Sequence, residues 1–392
     1  MMSLFSGYTF FVYLLLLLLP AIFLGMAEKT LRGYRIVLTV WFIWAVFHSS
    51  PVQFLYLIFY AVLSIYTVKI YLFLRQKYGR NRYIYVHAVF FAIAPLIISK
   101  ISGIYGKNWL AFLGVSYMCF RVVQVLIETY DGVIKEINEI QFLEFLLFFP
   151  SLSSGPIDRS RRFAEDDGKI YTREEYLLLL SSGLYKIVLG LFYKVVCSGI
   201  FYKLLSEVFA VRYKPAYLVG YAYVYGLYMF FDFAGYSAMA VGASYVLGIR
   251  MPDNFNKPFL SIDMKDFWNR WHITLSTWFR DFIFTRFMLD SARKKRFKKR
   301  LNGAAVGLIL NMTIMGLWHG LEPHYIIYGI YHGILMAITE IYQKKSKFYS
   351  RNKEKQWYKF LSWFVTINLV MFGFLIFSGH IQQIWNVVIN YL

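Results

Sequence analysis

Charge is scarce in this chain. Only 16% of its 392 residues are Asp, Glu, Lys or Arg, too few to clothe a soluble fold of this length. Cysteine is scarcer still. Cys119 and Cys197 both lie inside apolar segments with no metal-ligand spacing, so they read as buried thiols, not as a disulfide, a metal site or a nucleophile. Glycine-rich phosphate loops of the P-loop or dinucleotide type are missing. So is a G-x-S-x-G elbow on an α/β pattern, although a Ser–His–Asp triad on some other fold stays open. No nucleic-acid module is recognisable, which leaves the net charge of +20 to be explained another way.

Apolar residues are abundant, at 58%, with 21% aromatic. Apolar segments fall at 8–27, 36–48, 52–74, 83–102, 109–130, 141–150, 176–209, 217–249, 302–319, 325–343 and 358–379. Several exceed the ~20 residues that span a bilayer. Most Lys and Arg sit between these runs, as cytoplasmic loops facing anionic lipid would. The fold class expected is all-α: one polytopic membrane domain over 1–392 with about 10–11 crossings, allowing for ambiguous runs. Spans fill 8–130, a core follows at 131–343, and a last span lies within 344–392. The first run lacks a preceding basic region and is followed by Lys29, Arg32 and Arg35, which predicts an uncleaved first span with its N-terminus outside. Stretches 75–82, 250–300 and 344–356 are then cytoplasmic.

Three stretches break the pattern. Gln141–Pro150 is half a span and precedes a turn-rich polar stretch, so it reads as a re-entrant or interfacial element covered by protein. Segments 176–209 and 217–249 are too long for one straight span, so each is expected to be tilted, or broken near Gly190 and Gly235 respectively. The stretch 253–300 alternates aromatic with charged residues and ends in a basic run at Arg293–Arg300, the pattern of amphipathic helices at an interface or polar cavity.

Ionisable residues inside apolar segments are functional candidates by default. His319 closes the run Ala304–Trp318 and reads either as a general base or as an interfacial histidine bonded to a carbonyl. His272 sits among aromatic and charged residues with Asn269 and Ser276 three and four positions away, on one face if the segment is a continuous helix. Catalytic and structural readings both stand for it. Asp232, flanked by Phe230, Phe231, Phe233 and Tyr236, must face protein or water; pairing with an arginine is favoured over binding a substrate ammonium. Gly155-Pro156-Ile157-Asp158-Arg159 reads as a rigid turn locked by an acid–base pair. His324 and His332 are eight apart, not four, and suggest no metal site. His48, His87 and His380 read as interfacial.

Phe267-Trp268-Asn269-Arg270-Trp271-His272 and Gly316-Leu317-Trp318-His319-Gly320 resemble the two histidine motifs of the membrane-bound O-acyltransferase family. Four further stretches are similar to the branch that transfers D-alanine to teichoic acids: Phe149–Arg159, Phe231–Ser237, Met251–Phe259 and Tyr325–Gly333. The likeness is specific over about 100–340 and is one of hydropathy before that. The resemblance implies a ring of helices around a central tunnel. It also implies a cytosolic carrier protein presenting D-alanine as a phosphopantetheine thioester, and an acceptor hydroxyl on lipoteichoic acid or a lipid-linked intermediate. His319 maps onto the catalytic histidine and His272 onto the second motif histidine. Trp318, Asn269, Ser276 and Asp232 are the expected substrate-side residues. Phe284, Arg286, Phe287, Met288 and Leu289, beside the basic run, are the expected carrier-docking residues. No bound cofactor, metal or nucleic acid is expected, and other membrane subunits are possible partners. Two other readings stay open: an O-acetyltransferase of a secreted polysaccharide such as alginate, and a transporter or scaffold without chemistry. A transporter predicts inverted-repeat hydropathy, which is not seen.

Overall fold

The computed structural model describes residues 8–208 and 215–381, and every regular element among them is a helix. The first eight are α1 (Tyr8–Met26), α2 (Arg32–Phe47), α3 (Pro51–Tyr78), α4 (Arg82–Ile104), α5 (Val115–Tyr130), α6 (Glu139–Leu147), α7 (Ser160–Asp166) and α8 (Arg173–Leu191). A π-helical stretch, Phe192–Cys197, leads into α9 (Ser198–Val208), and α10 (Pro215–Val246) follows. Then come α11 (Met264–Arg270), α12 (Ile273–Phe279), a π-helical stretch at Arg280–Phe284 and α13 (Thr285–Arg293). The described residues end with α14 (Arg300–His319), α15 (Pro323–Lys345), α16 (Lys347–Asn352) and α17 (Gln356–Phe377). The last part of the expected C-terminal stretch, 382–392, lies outside the described residues, as does residue 209 of segment 176–209.

Among the described residues, five helices are long and apolar enough to cross a membrane: α3, α4, the run Arg173–Glu207, α14 and α17. Helices α10 and α15 have the length, at 32 and 23 residues, but their Tyr, Gly and His content dilutes the apolar character. The interruption expected near Gly190 appears as the π-helical stretch at Phe192–Cys197. Of the two alternatives for 217–249, a tilt or a break near Gly235, the break does not occur. Helix α10 runs unbroken through that residue, because an isolated helical glycine loses only ~1 kcal/mol relative to alanine and need not end a helix.

The chain forms two compact units, one of residues 1–190 with 236–252, the other of residues 191–235 with 253–392. In the first, the half-length segment expected at 141–150 is the nine-residue α6, followed by a 3-10 turn at Phe149–Ser151. The Arg121 side chain, 1% exposed, holds this irregular backbone. Its Nη1 donates to the carbonyls of Phe145 (2.7 Å) and Leu146 (2.9 Å), and its Nη2 to Ser151 O (2.7 Å) and Oγ (2.6 Å). The orphan carbonyls at the end of α6 are thus satisfied from α5. Asp158 of the Gly-Pro turn pairs with Arg162, one helical turn on, and its Oδ1 also accepts from Arg159 N at 2.8 Å. Asp166 binds both Arg162 and Arg250.

The second unit is built on α14 and α15. A Cβ placed on Gly329 would lie 2.5 Å from Met312 O, and one on Gly316 would lie 2.4 Å from Tyr325 O. A Cβ on Gly333 would meet the Ile309 Cα at 2.8 Å. Gly329 and Gly333 form a G-x-x-x-G face, so the two backbones approach directly. Gly329→Ala should therefore push the helices apart, at a cost of about 1–3 kcal/mol by overpacking. A lowered melting temperature in detergent checks this, and an unchanged one refutes it.

Candidate active site

Within the polar stretch 253–300, one backbone reversal separates the two short helices that flank the first histidine motif. His272 has φ of +43°, a left-handed conformation, and separates α11 from α12. Asn254 fixes it from eighteen residues upstream in sequence. Its carbonyl accepts from Ile273 N (2.9 Å), and its Oδ1 accepts from Thr274 N (3.1 Å) and Thr274 Oγ1 (2.6 Å). Asn256 N donates to Arg270 O at 2.9 Å. Asn254 thereby caps α12, the task a helix N-cap residue would otherwise perform. This corrects one sequence expectation. Asn269, His272 and Ser276 do not share a helical face, because the left-handed residue turns α12 away from α11. Asn269 is exposed, and Ser276 Oγ donates to Trp271 O at 3.2 Å.

The His272 ring is buried, 4% exposed, and stands edge-on to Phe233 with centroids 4.7 Å apart. Burial pushes its pKa down from 6.5 to about 3, and the charge of His319 is the second cause. The two motif histidines, separated by most of α12–α14 in sequence, therefore lie within electrostatic reach of each other.

His319 is the last residue of α14 and is half-buried. Four aromatic rings surround it: Trp318 at 4.7 Å, Phe377 at 5.1 Å, Tyr325 at 6.2 Å and Tyr328 at 6.4 Å. Gly320 makes room for this arrangement, since a Cβ there would fall 2.2 Å from the Tyr325 ring. The imidazole thus sits in an aromatic recess with part of its surface open. Among the described residues no group of three or more His, Cys, Asp or Glu could hold a metal ion.

Asp232 immediately precedes Phe233, the ring that touches His272. Half-buried, it is paired as expected, but with a lysine and not an arginine. Lys194 Nζ lies 2.5 Å from Asp232 Oδ1, and Ser198 Oγ donates to the same oxygen at 3.4 Å. Lys194 is one of three lysines within the apolar segment 176–209, with Lys186 and Lys203, and a charge inside an apolar run is the sequence signal that points to it. Of the residues expected to dock a carrier, Phe284 and Phe287 turn toward α14, where a Cβ on Gly307 would meet them at 3.1 and 2.9 Å. Arg286 and Met288 are half-buried. Leu289 is 67% exposed and gives the helix its accessible apolar face.

The model of the membrane-bound O-acyltransferase family matches residues 43–384. The teichoic acid D-alanyltransferase of Bacillus subtilis is 40% identical over 389 residues, covering 96% of this chain and 98% of its own. That of Streptococcus thermophilus is 41% identical over 395 residues, 96% and 95% of the two chains. A probable alginate O-acetylase of Pseudomonas aeruginosa is 31% identical over 301 residues, 75% of this chain and 52% of its own.

The depressed His272 pKa has a consequence for stability. The folded chain keeps this imidazole neutral down to about pH 3, whereas the unfolded chain protonates it below about pH 6.5. The unfolded state binds more protons in that window, so stability falls as pH is lowered from 6.5 toward 3. His272→Gln should remove this component. Melting in detergent at about pH 7.5 and 5 should drop more for the wild type than for the variant; equal drops would mean that His272 titrates normally.

Proposed function

The chain belongs to the membrane-bound O-acyltransferase family, and on that premise we propose that it transfers D-alanine from a carrier-protein thioester to a hydroxyl of teichoic acid or a lipid-linked precursor. The observation that carries this reading is near full-length similarity, at 40–41% identity, to two teichoic acid D-alanyltransferases. The alginate O-acetylase likeness is weaker and covers half of that protein, which ranks the acetyltransferase reading second. The ring of about ten spans around a tunnel, which would admit the carrier's phosphopantetheine arm, is part of the same proposal.

The chemistry asked of the protein is modest. A thioester carbonyl is already activated, so the site must place the hydroxyl, take its proton and stabilise the oxyanion. His319 is the base in this scheme. Its imidazole takes the hydroxyl proton as the oxygen attacks the carbonyl, the C–O bond forms, and the C–S bond breaks. The proton then passes to the departing phosphopantetheine sulfur. His272 is a poor base, because burial disfavours its protonated form. It serves as a neutral imidazole that shapes the site around His319. Trp318 walls one side of the catalytic ring.

Purified protein reconstituted with radiolabelled D-alanyl carrier and teichoic acid acceptor should move label to the acceptor. His319→Ala should lower the rate by about 10²–10⁴-fold, the contribution of a positioned general base, with carrier binding and melting temperature preserved. A folded variant that transfers at the wild-type rate would sink the mechanism.

Carrier docking is assigned to α13 and the following basic run. The exposed Leu289 and half-buried Met288 supply the apolar contact, while Arg293–Arg300 steers an acidic partner. Because Phe287 packs toward Gly307, its replacement would disturb the fold as well. Leu289→Glu is the cleaner probe: carrier affinity, measured by titration, should weaken at least tenfold, about 1.4 kcal/mol. Unchanged affinity would move the docking surface elsewhere.

A further inference from the structure

His332 carries no metal-ligand spacing in the sequence, yet its ring touches residues of the first histidine motif and, through Tyr328, faces the second. It is 1% exposed. On one side its ring meets Trp268 edge-on at 5.3 Å and Phe267 at 6.4 Å, both from the first motif. On the other it meets Tyr328 at 4.4 Å, and the Tyr328 ring stands edge-on to His319 of the second motif. Gly373 is needed to admit it, since a Cβ there would lie 2.4 Å from His332 Nε2.

Packing alone does not account for an imidazole here. Among the described residues neither His332 ring nitrogen has a hydrogen-bond partner, and neither does Nε1 of the adjacent Trp268. A buried polar atom without a partner is costly, and phenylalanine would fill much the same space without that cost. The three atoms are also chemically complementary. The indole N–H is a donor, and a neutral imidazole offers one acceptor and one donor.

We propose that His332 is a third histidine of the site, a positioning residue that joins Trp268 through one bridging water and acts on His319 through Tyr328. The polar link ties α11 to α15. It fixes the Tyr328 ring, and with it the rotamer from which His319 takes the hydroxyl proton. This rests on His319 as the base of the proposed transfer.

Replacement by an apolar ring separates this role from packing. His332→Phe should keep or raise the melting temperature while lowering kcat at least tenfold, with KM for the D-alanyl carrier unchanged. His332→Gln, which retains a donor and an acceptor, should recover part of kcat. Trp268→Phe should lower kcat similarly, and the double variant should be no worse than either single one, since both cut the same link. Wild-type kcat in His332→Phe would overturn the proposal. So would a collapse of melting temperature in both His332 variants, or additive losses in the double variant. A wild-type protein inactive with D-alanyl carrier would overturn the functional reading itself, and this inference with it.

Discussion

The approach of α14 and α15 through glycine is the constraint on which the proposed site depends. Lipid offers no hydrophobic force to press two apolar helices together, so close association requires backbones that touch. Gly316 and Gly329 leave no room for a side chain between them. That contact places His319 at the end of α14 beside Tyr325 and Tyr328 of α15. A helix pair held apart by ordinary side chains would separate the imidazole from the rings that wall it.

A second constraint is the satisfaction of polar groups in an apolar chain. Non-helical backbone is tolerated where protein covers it, and each unit supplies one long-range polar side chain for the purpose. Arg121 gathers three carbonyls around the end of α6. Asn254 holds the start of α12 and so the left-handed His272. In both cases a single residue far away in sequence replaces the local cap. A left-handed backbone at a residue with a Cβ is strained, and Asn254 is what over-determines it.

Periodicity and composition reveal such a chain unevenly. The long apolar helices, the half-length α6 and the interruption after Gly190 were legible because length and polarity report them directly. The two histidines were legible because a titratable group is conspicuous among apolar neighbours. The separation of α11 from α12 was not, since no Gly or Pro marks it: the reversal falls on His272 and is imposed by Asn254. Helix α10 misled for the opposite reason, as Gly235 looks like a break but sits inside a helix that its neighbours sustain. Lys194 was passed over as the Asp232 partner because pairing across some forty residues leaves no periodic trace. The spacing of His332 from His324 reports only on metal binding, and its place between Trp268 and Tyr328 exists only in three dimensions.

The two motif histidines differ in environment in a way that suits a division of labour. Near neutral pH, a buried imidazole with a depressed pKa cannot usefully hold a transferred proton, but it can keep a fixed tautomer and a fixed place. His272 meets that description, locked by its backbone and by Phe233. A ring at the rim of an aromatic recess can both meet a hydroxyl and release its proton to a departing thiol, and His319 has that exposure. Its partial opening matters as much as its walls. A fully enclosed imidazole would be shielded from the acceptor, whereas one in open water would activate solvent as readily as a polyol and lose the acyl group to hydrolysis. With His319 as the proposed base, the aromatic enclosure therefore bears on which hydroxyl is acylated, in addition to the rate at which the proton moves.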